Sequence, residues 1–112
     1  MNILITVQDS DFHSNIDPKF GRTPWFVKIN TDTKEWEAIA NSAINQSGGA
    51  GVAAAQFAID QNVQAVISGD FGPHASTALQ KASIKMYKFS PDVQTGEDAL
   101  NKFLQGSLEE FA

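Results

Sequence analysis

Apolar and polar positions along the chain fall into short blocks with two periods. Ile3-Leu4-Ile5-Thr6-Val7 is a nearly continuous apolar run, which suits a central strand buried on both faces. The stretch Gln8–Lys19 is dense in Asp, Ser and Asn and reads as a loop. Its length and polarity make it the internal segment expected to be most mobile. Trp25-Phe26-Val27-Lys28-Ile29-Asn30 alternates loosely, and Glu35–Ala40 places Trp36, Ala38 and Ala40 on one face. The polar link Thr31-Asp32-Thr33-Lys34 between them predicts an antiparallel hairpin.

Helical spacing takes over after the glycine run Gly48-Gly49-Ala50-Gly51. Val52–Gln61 reads as a helix on the strength of Ala53, Ala54 and Ala58, although Phe57 lies off the stripe through Val52, Ala55 and Ile59. Val63–Ile67 predicts another strand, ending at Ser68-Gly69. Pro73 stands where a helix starts, and Ala75, Ala78, Leu79 and Ala82 follow at helical spacing. Ile84–Phe89 predicts a last strand, whose Lys85 and Lys88 suit a sheet edge. Thr95 and Asp98 have the spacing of a capping box; Leu100, Phe103 and Leu104 form a helical face behind them, which Gly106 ends. Leu108 and Phe111 are expected to pack back on the body.

This order, strand, hairpin, then helices alternating with strands, predicts one α/β domain over residues 1–112. Its expected form is three-layered, α/β/α, around a five-stranded mixed sheet of order 3-2-1-4-5 with strand 2 antiparallel. Strands 1, 3 and 4 then run in parallel. The segments after Val7, Ala40 and Ser68 leave one edge of the sheet, bringing together the polar loop, the glycine run and the turn Gly69–His74. Strands 1 and 4 are neighbours with connections to different places, the crevice in which open α/β sheets bind ligands.

Composition narrows what that crevice can hold. A 42% hydrophobic and 19% charged chain of 112 residues can build an ordinary core. A formal net charge of -5 argues against a nucleic-acid binder or an anionic membrane as partner. The absence of cysteine excludes disulfides and thiolate metal sites. Folding is therefore expected to need no cofactor. No apolar run approaches the roughly 20 residues of a membrane span, and no leader pattern opens the sequence, so a cytoplasmic protein is expected.

Several candidate residues gather on the crevice loops. Gly48, Gly49 and Gly51 precede a helix, where backbone N–H groups and the helix dipole favour an anion. A tight entry into the helix explains them equally well. Gly49-x-Gly51-x-x-Ala54 loosely matches a dinucleotide fingerprint, with Asp70 further on, but it follows a hairpin rather than the first strand. Asp9, Asp11, His13, Asn15 and Asp17 have the alternation of a calcium loop, yet Ser14 and Phe20 stand where Gly and Glu are required. His13 and His74, the two histidines, are candidate metal ligands; a surface histidine without a ligand is the alternative for each. In Phe20-Gly21-Arg22, Phe20 can anchor the loop and Gly21 can turn it. Arg22 offers a guanidinium fork to an anion or braces the loop.

Together these residues resemble the dinitrogenase iron–molybdenum cofactor biosynthesis family. The resemblance runs through Phe20-Gly21-Arg22-Thr23-Pro24-Trp25-Phe26, Gly48-Gly49-Ala50-Gly51, Gly69-x-x-Gly72-Pro73-x-Ala75 and Ile84-Lys85-Met86-Tyr87. It spans essentially the whole chain and implies a ribonuclease H-like motif. It also implies a non-catalytic binding or carrier protein for iron–molybdenum cofactor, its precursors or a related iron–sulfur cluster. Lys19, Arg22, Gly48, Gly49, Gly51, Gly72 and His74 would contact that anionic ligand, and a cluster-assembly protein would be a partner. Relatives often carry His where this chain has Lys19 and, before the glycine run, Gln46 and Ser47. Two other readings stay open: a protein–protein adaptor docking through Trp25 or Trp36, and a binder of a small phosphate-containing ligand at the glycine loops. No nucleophile, base and oxyanion site are assembled by the sequence, so no enzyme activity is expected.

Overall fold

A computed structural model describes residues 1–45 and 47–111. Gln46 lies outside the described residues. The elements are β1 (Asn2–Val7), β2 (Trp25–Asn30), β3 (Trp36–Ala40), α1 (Ala50–Asp60), β4 (Ala65–Ser68), α2 (Pro73–Lys81), β5 (Lys85–Lys88), α3 (Gly96–Leu104) and β6 (Glu109–Glu110). Among the described residues the strands form one 6-stranded sheet, ordered β3-β2-β1-β4-β5-β6.

β1 is apolar on both faces because it lies in the middle. It pairs antiparallel with β2 and parallel with β4, and Ile3, Leu4, Ile5 and Val7 are fully buried. Leu4 joins Phe26, Val66 and Met86 under α1 and α2; Ile3, Ile5 and Val7 join Val27, Ile29 and Ile67 under α3. The result is the expected ribonuclease H-like α/β/α arrangement, with strand 2 antiparallel.

The sheet has six strands where the sequence predicted five. β6 pairs antiparallel with β5, placing Tyr87 opposite Glu110 and Lys88 opposite Glu109. Two acidic residues carry no apolar alternation, so periodicity could not mark them as a strand. Lys85 and Lys88 accordingly do not line a free edge, and the Lys85 ammonium lies 3.5 Å from the Glu110 carboxylate. Leu108 and Phe111 do pack back, the Phe111 ring 5.3 Å from that of Phe71.

α1 starts at Ala50, two residues before the predicted Val52, because Gly49 takes the left-handed conformation (φ 73) and serves as its N-cap. Ala54, Ala55 and Ala58 face the sheet closely, while Phe57 reaches sideways to stack on Phe26 at 5.0 Å. That sideways contact is why the apolar stripe looked irregular. At α3 the capping box is complete: Thr95 Oγ1 accepts from the Asp98 N–H (3.1 Å) and Asp98 Oδ2 accepts from the Thr95 N–H (3.2 Å).

The loop after β1 has more anchors than its composition suggests. Phe12 is buried in the α3-side core, and the N–H groups of Gln8 and Ile16 donate to Asn15 O and Gln94 O. Its far end is held from below by a buried hydroxyl pair. Thr6 Oγ1 donates to Asp17 O (2.6 Å) and sits 2.9 Å from Ser68 Oγ.

One surface ion pair gives a pH signature. The Lys102 ammonium lies 2.7 Å from the Asp92 carboxylate. Hydrogen bonds from Lys102 and then Ser90 hold the Asp92 carboxyl at about 2, below its ordinary value. A depressed carboxylate stabilises the fold above its unfolded pKa and loses that contribution as pH falls through the folded value. Asp92→Asn should therefore lower the melting temperature at neutral pH. The gap from wild type should narrow between about pH 4 and pH 2, as followed by circular dichroism melts; a gap independent of pH would contradict the assignment.

Candidate functional site

Three connections converge at the end of the sheet where β1, β3 and β4 terminate. Phe20 is fully buried between Phe26 and Phe71, with ring centroids 5.9 and 5.4 Å away, and fixes the Phe-Gly-Arg turn to the core. The same loop is zipped to the turn after β4: Asp70 N–H donates to Pro18 O (2.6 Å) and Phe20 N–H donates to Asp70 O (3.0 Å). A Cβ on Gly69 would stand 2.6 Å from Pro18 O, so this approach requires glycine. A Cβ on Gly21 would likewise stand 2.9 Å from Gly51 N, pressing the turn against the start of α1. A Cβ on Gly51 would stand 3.4 Å from Ala75 Cβ, an ordinary contact that keeps the starts of α1 and α2 together.

The cleft left between these segments has a volume of about 310 Å³ and is lined by Lys19, Gly21, Arg22, Gly49–Val52 and Asp70–Ala75. Six of the sequence-derived candidates thus share one concavity: Lys19, Arg22, Gly49, Gly51, Gly72 and His74. Gly48 precedes the lining segment and does not line the cleft itself. His13 is also elsewhere. Phe12 drives into the core beside Gly96, which turns His13 toward α3, with Nδ1 3.7 Å from Glu97 Oε2. The expectation that both histidines fall on the crevice is corrected to His74 alone.

Neither Gly49 nor Gly72 supplies a side-chain cap, and neither α1 nor α2 has an acidic residue in its first turn. The helical ladders begin with the N–H groups of Ala53, donating to Gly49 O, and Ser76, donating to Gly72 O. The earlier amides, those of residues 50–52 and 74–75, stand at the positive ends of the two helices. Gly72 is held at φ 76 and ψ 159, a conformation essentially closed to other residues.

Arg22 does brace its surroundings. Its guanidinium donates to Ile44 O (2.8 Å) in the segment after β3. Buried Asn41, which the sequence did not single out, ties that segment to the turn: Nδ2 donates to Gly21 O (3.1 Å) and Thr23 O (2.8 Å). An asparagine inside a polar stretch carries no signal of such a role. Asp70 adds a carboxylate to the rim, where Oδ1 accepts from the Gly72 N–H (3.2 Å). The cleft is therefore cationic on balance rather than uniformly so.

Among the described residues no group of three or more His, Cys, Asp or Glu gathers in a way that could hold a metal ion. Nor, among the described residues, does a serine, threonine or cysteine appear in the cleft lining. No helix of the described residues is long and apolar enough to cross a membrane.

A family model described as dinitrogenase iron-molybdenum cofactor matches residues 1–106. The chain belongs to that family. It is 32% identical to the orange protein of Desulfovibrio gigas, solved in its apo form, with a TM-score of 0.93 over 99% of this chain and 92% of that one. A candidate NifB protein of Thermotoga is 25% identical, with a TM-score of 0.83 over 97% of this chain and 91% of that one. An uncharacterized protein of Methanocaldococcus jannaschii is 29% identical over 102 residues, 88% of this chain and 85% of its own.

The glycine contacts make a stability prediction with an internal control. Gly21→Ala forces backbone against backbone and should cost about 1–3 kcal/mol. Among the described residues a Cβ on Gly48 meets nothing within 4 Å, so Gly48→Ala should stay within about 0.5 kcal/mol of wild type. Equal denaturant midpoints for the two variants would contradict the close approach.

Proposed function

We propose that this protein is a non-catalytic carrier that holds an anionic metallocluster, iron–molybdenum cofactor or one of its precursors, in the cleft. The observation that carries the reading is the convergence of Lys19, Arg22 and His74 with the uncapped starts of α1 and α2 on one concavity. Family membership supports it, as does a relative whose structure is described as an apo form. The cluster is cargo. With no cysteine in the chain, it would be held by charge, by backbone amides and by the single imidazole of the lining. Lys19, standing where relatives often have His, supplies charge rather than a coordinating nitrogen. The carrier would work in the cytoplasm, loaded or unloaded by a cluster-assembly protein.

The donor set would also suit a small phosphate-containing ligand, so the test includes both. Calorimetric titration with isolated iron–molybdenum cofactor should show binding, and inorganic phosphate should compete weakly. Arg22→Ala should weaken cluster binding by about 1.5–3 kcal/mol through loss of a charge-assisted hydrogen bond. Arg22→Lys, which keeps the charge but not the fork, should fall between. His74→Ala should weaken binding most at the acid end of pH 6 to 8 when the contact is electrostatic. Metal ligation demands a neutral imidazole and reverses that trend. Equal binding by all variants would remove the site from this cleft.

A further inference from the structure

The two edges of the sheet end differently. β6 closes one edge with two residues, both acidic and exposed, a short charged strand of the kind that blunts an edge against pairing. β3, at the other edge, is 5 residues long and keeps an unbroken register with β2 from Trp36 to Ala40. It contains no proline, lysine or bulge that would deter another strand.

Its outward-facing groups can be read from the ladder. Asn30 N–H donates to Glu35 O (3.0 Å), and Asn41 N–H donates to Pro24 O (3.0 Å). Alternate residues of an antiparallel strand bond to the same neighbour, so Glu35, Glu37, Ile39 and Asn41 face β2. The N–H and C=O groups of Trp36, Ala38 and Ala40 point away from the sheet. No hydrogen bond among the described residues engages them.

The side chains beside this edge are acidic. Glu35 and Glu37 are exposed on one face, with exposed Asp32 in the adjoining turn. Neither glutamate forms an ion pair among the described residues. Lys28, opposite Glu37 on β2, has its ammonium on Gln61 Oε1 (3.3 Å). On the other face Trp36 is 41% exposed, its ring 6.0 Å from that of Phe12. An acidic row on one face and an open indole on the other describe the complement: an extended strand with basic side chains at alternate positions and apolar ones between.

We infer that the β3 edge docks an extended basic segment of a partner protein, which adds to the sheet as a further strand. Main-chain hydrogen bonds to Trp36, Ala38 and Ala40 supply the register. Lysine or arginine side chains meet Glu35 and Glu37, while apolar side chains lie along Trp36. A second copy of this chain fits less well, since it carries a net charge of -5 and would bring its own glutamates to the same edge. Beyond Ala40 the chain enters the segment containing Asn41 and Ile44, the residues that hold Gly21 O and the Arg22 guanidinium. A docked strand would therefore lie beside the brace of the cleft. The inference rests on the edge itself and stands whether or not the cleft carries a cluster.

The test is an amide NMR titration of the isotope-labelled protein with two blocked hexapeptides, one alternating lysine and valine, the other glutamate and valine. The basic peptide should shift the amides of Trp36, Ala38 and Ala40 and slow their hydrogen exchange. The acidic peptide should bind at least tenfold more weakly. Ala38→Pro, which removes an N–H that β2 does not use, should abolish the response while leaving the other amide signals native. If that variant loses its native spectrum, Glu35→Gln with Glu37→Gln decides instead, and should erase the preference between the peptides. The inference is overturned by no response to millimolar basic peptide, by equal response to both, or by shifts centred on Gly49 and His74. Concentration-dependent shifts at Trp36, Ala38 and Ala40 without peptide would overturn it too, assigning the edge to a second copy.

Discussion

A Cβ at Gly21 would crowd the Gly51 nitrogen at 2.9 Å, and one at Gly69 would crowd the Pro18 oxygen at 2.6 Å. Real side chains do not survive such distances from backbone atoms, so these two approaches exist only because the positions are glycine. They draw three connections that are far apart in sequence onto one end of the sheet. The Phe-Gly-Arg turn meets the start of α1, and the loop after β1 meets the turn after β4. Everything proposed for the cleft depends on those contacts. Without them the loop that carries Lys19 and Arg22 would stand apart from the helix start that carries His74.

Two other glycines set the electrostatics. Gly49 and Gly72 begin α1 and α2 without offering a side-chain oxygen to the first amides. Serine, threonine, aspartate or asparagine would ordinarily fill that role, as Thr95 does for α3. The contrast within one chain is informative: α3, away from the cleft, is capped and carries Glu97 and Asp98 in its first turn, while the two cleft helices have neither. Amides without a side-chain cap, accompanied by lysine and arginine, favour an external anion. The counterweight is Asp70 on the rim, whose carboxylate is occupied with the Gly72 N–H.

Much of this was legible in the sequence, for identifiable reasons. The buried central strand, the hairpin, the Pro73 helix start and the Thr95–Asp98 cap each rest on local chemistry that tertiary packing did not override. Phe20-Gly21-Arg22 and the glycine run could be placed on one sheet edge because strand order follows from connection rules. What failed to show was tertiary. β6 is made of two glutamates and is defined by backbone pairing alone. His13 left the cleft because its neighbour Phe12, the one aromatic in a polar run, is pulled into the core. Asn41 binds two carbonyls some 18 and 20 residues distant, which no local pattern announces.

The central claim is that an anionic cluster rests on the two uncapped helix starts, between Arg22 and His74. Anomalous scattering at the iron edge from crystals grown with isolated iron–molybdenum cofactor tests it most directly. The account predicts a metal peak over Gly49–Gly51 and Gly72, within contact distance of the Arg22 or His74 side chain. A peak beside His13 and Glu97, or well-ordered crystals with no peak at the cleft, would contradict it.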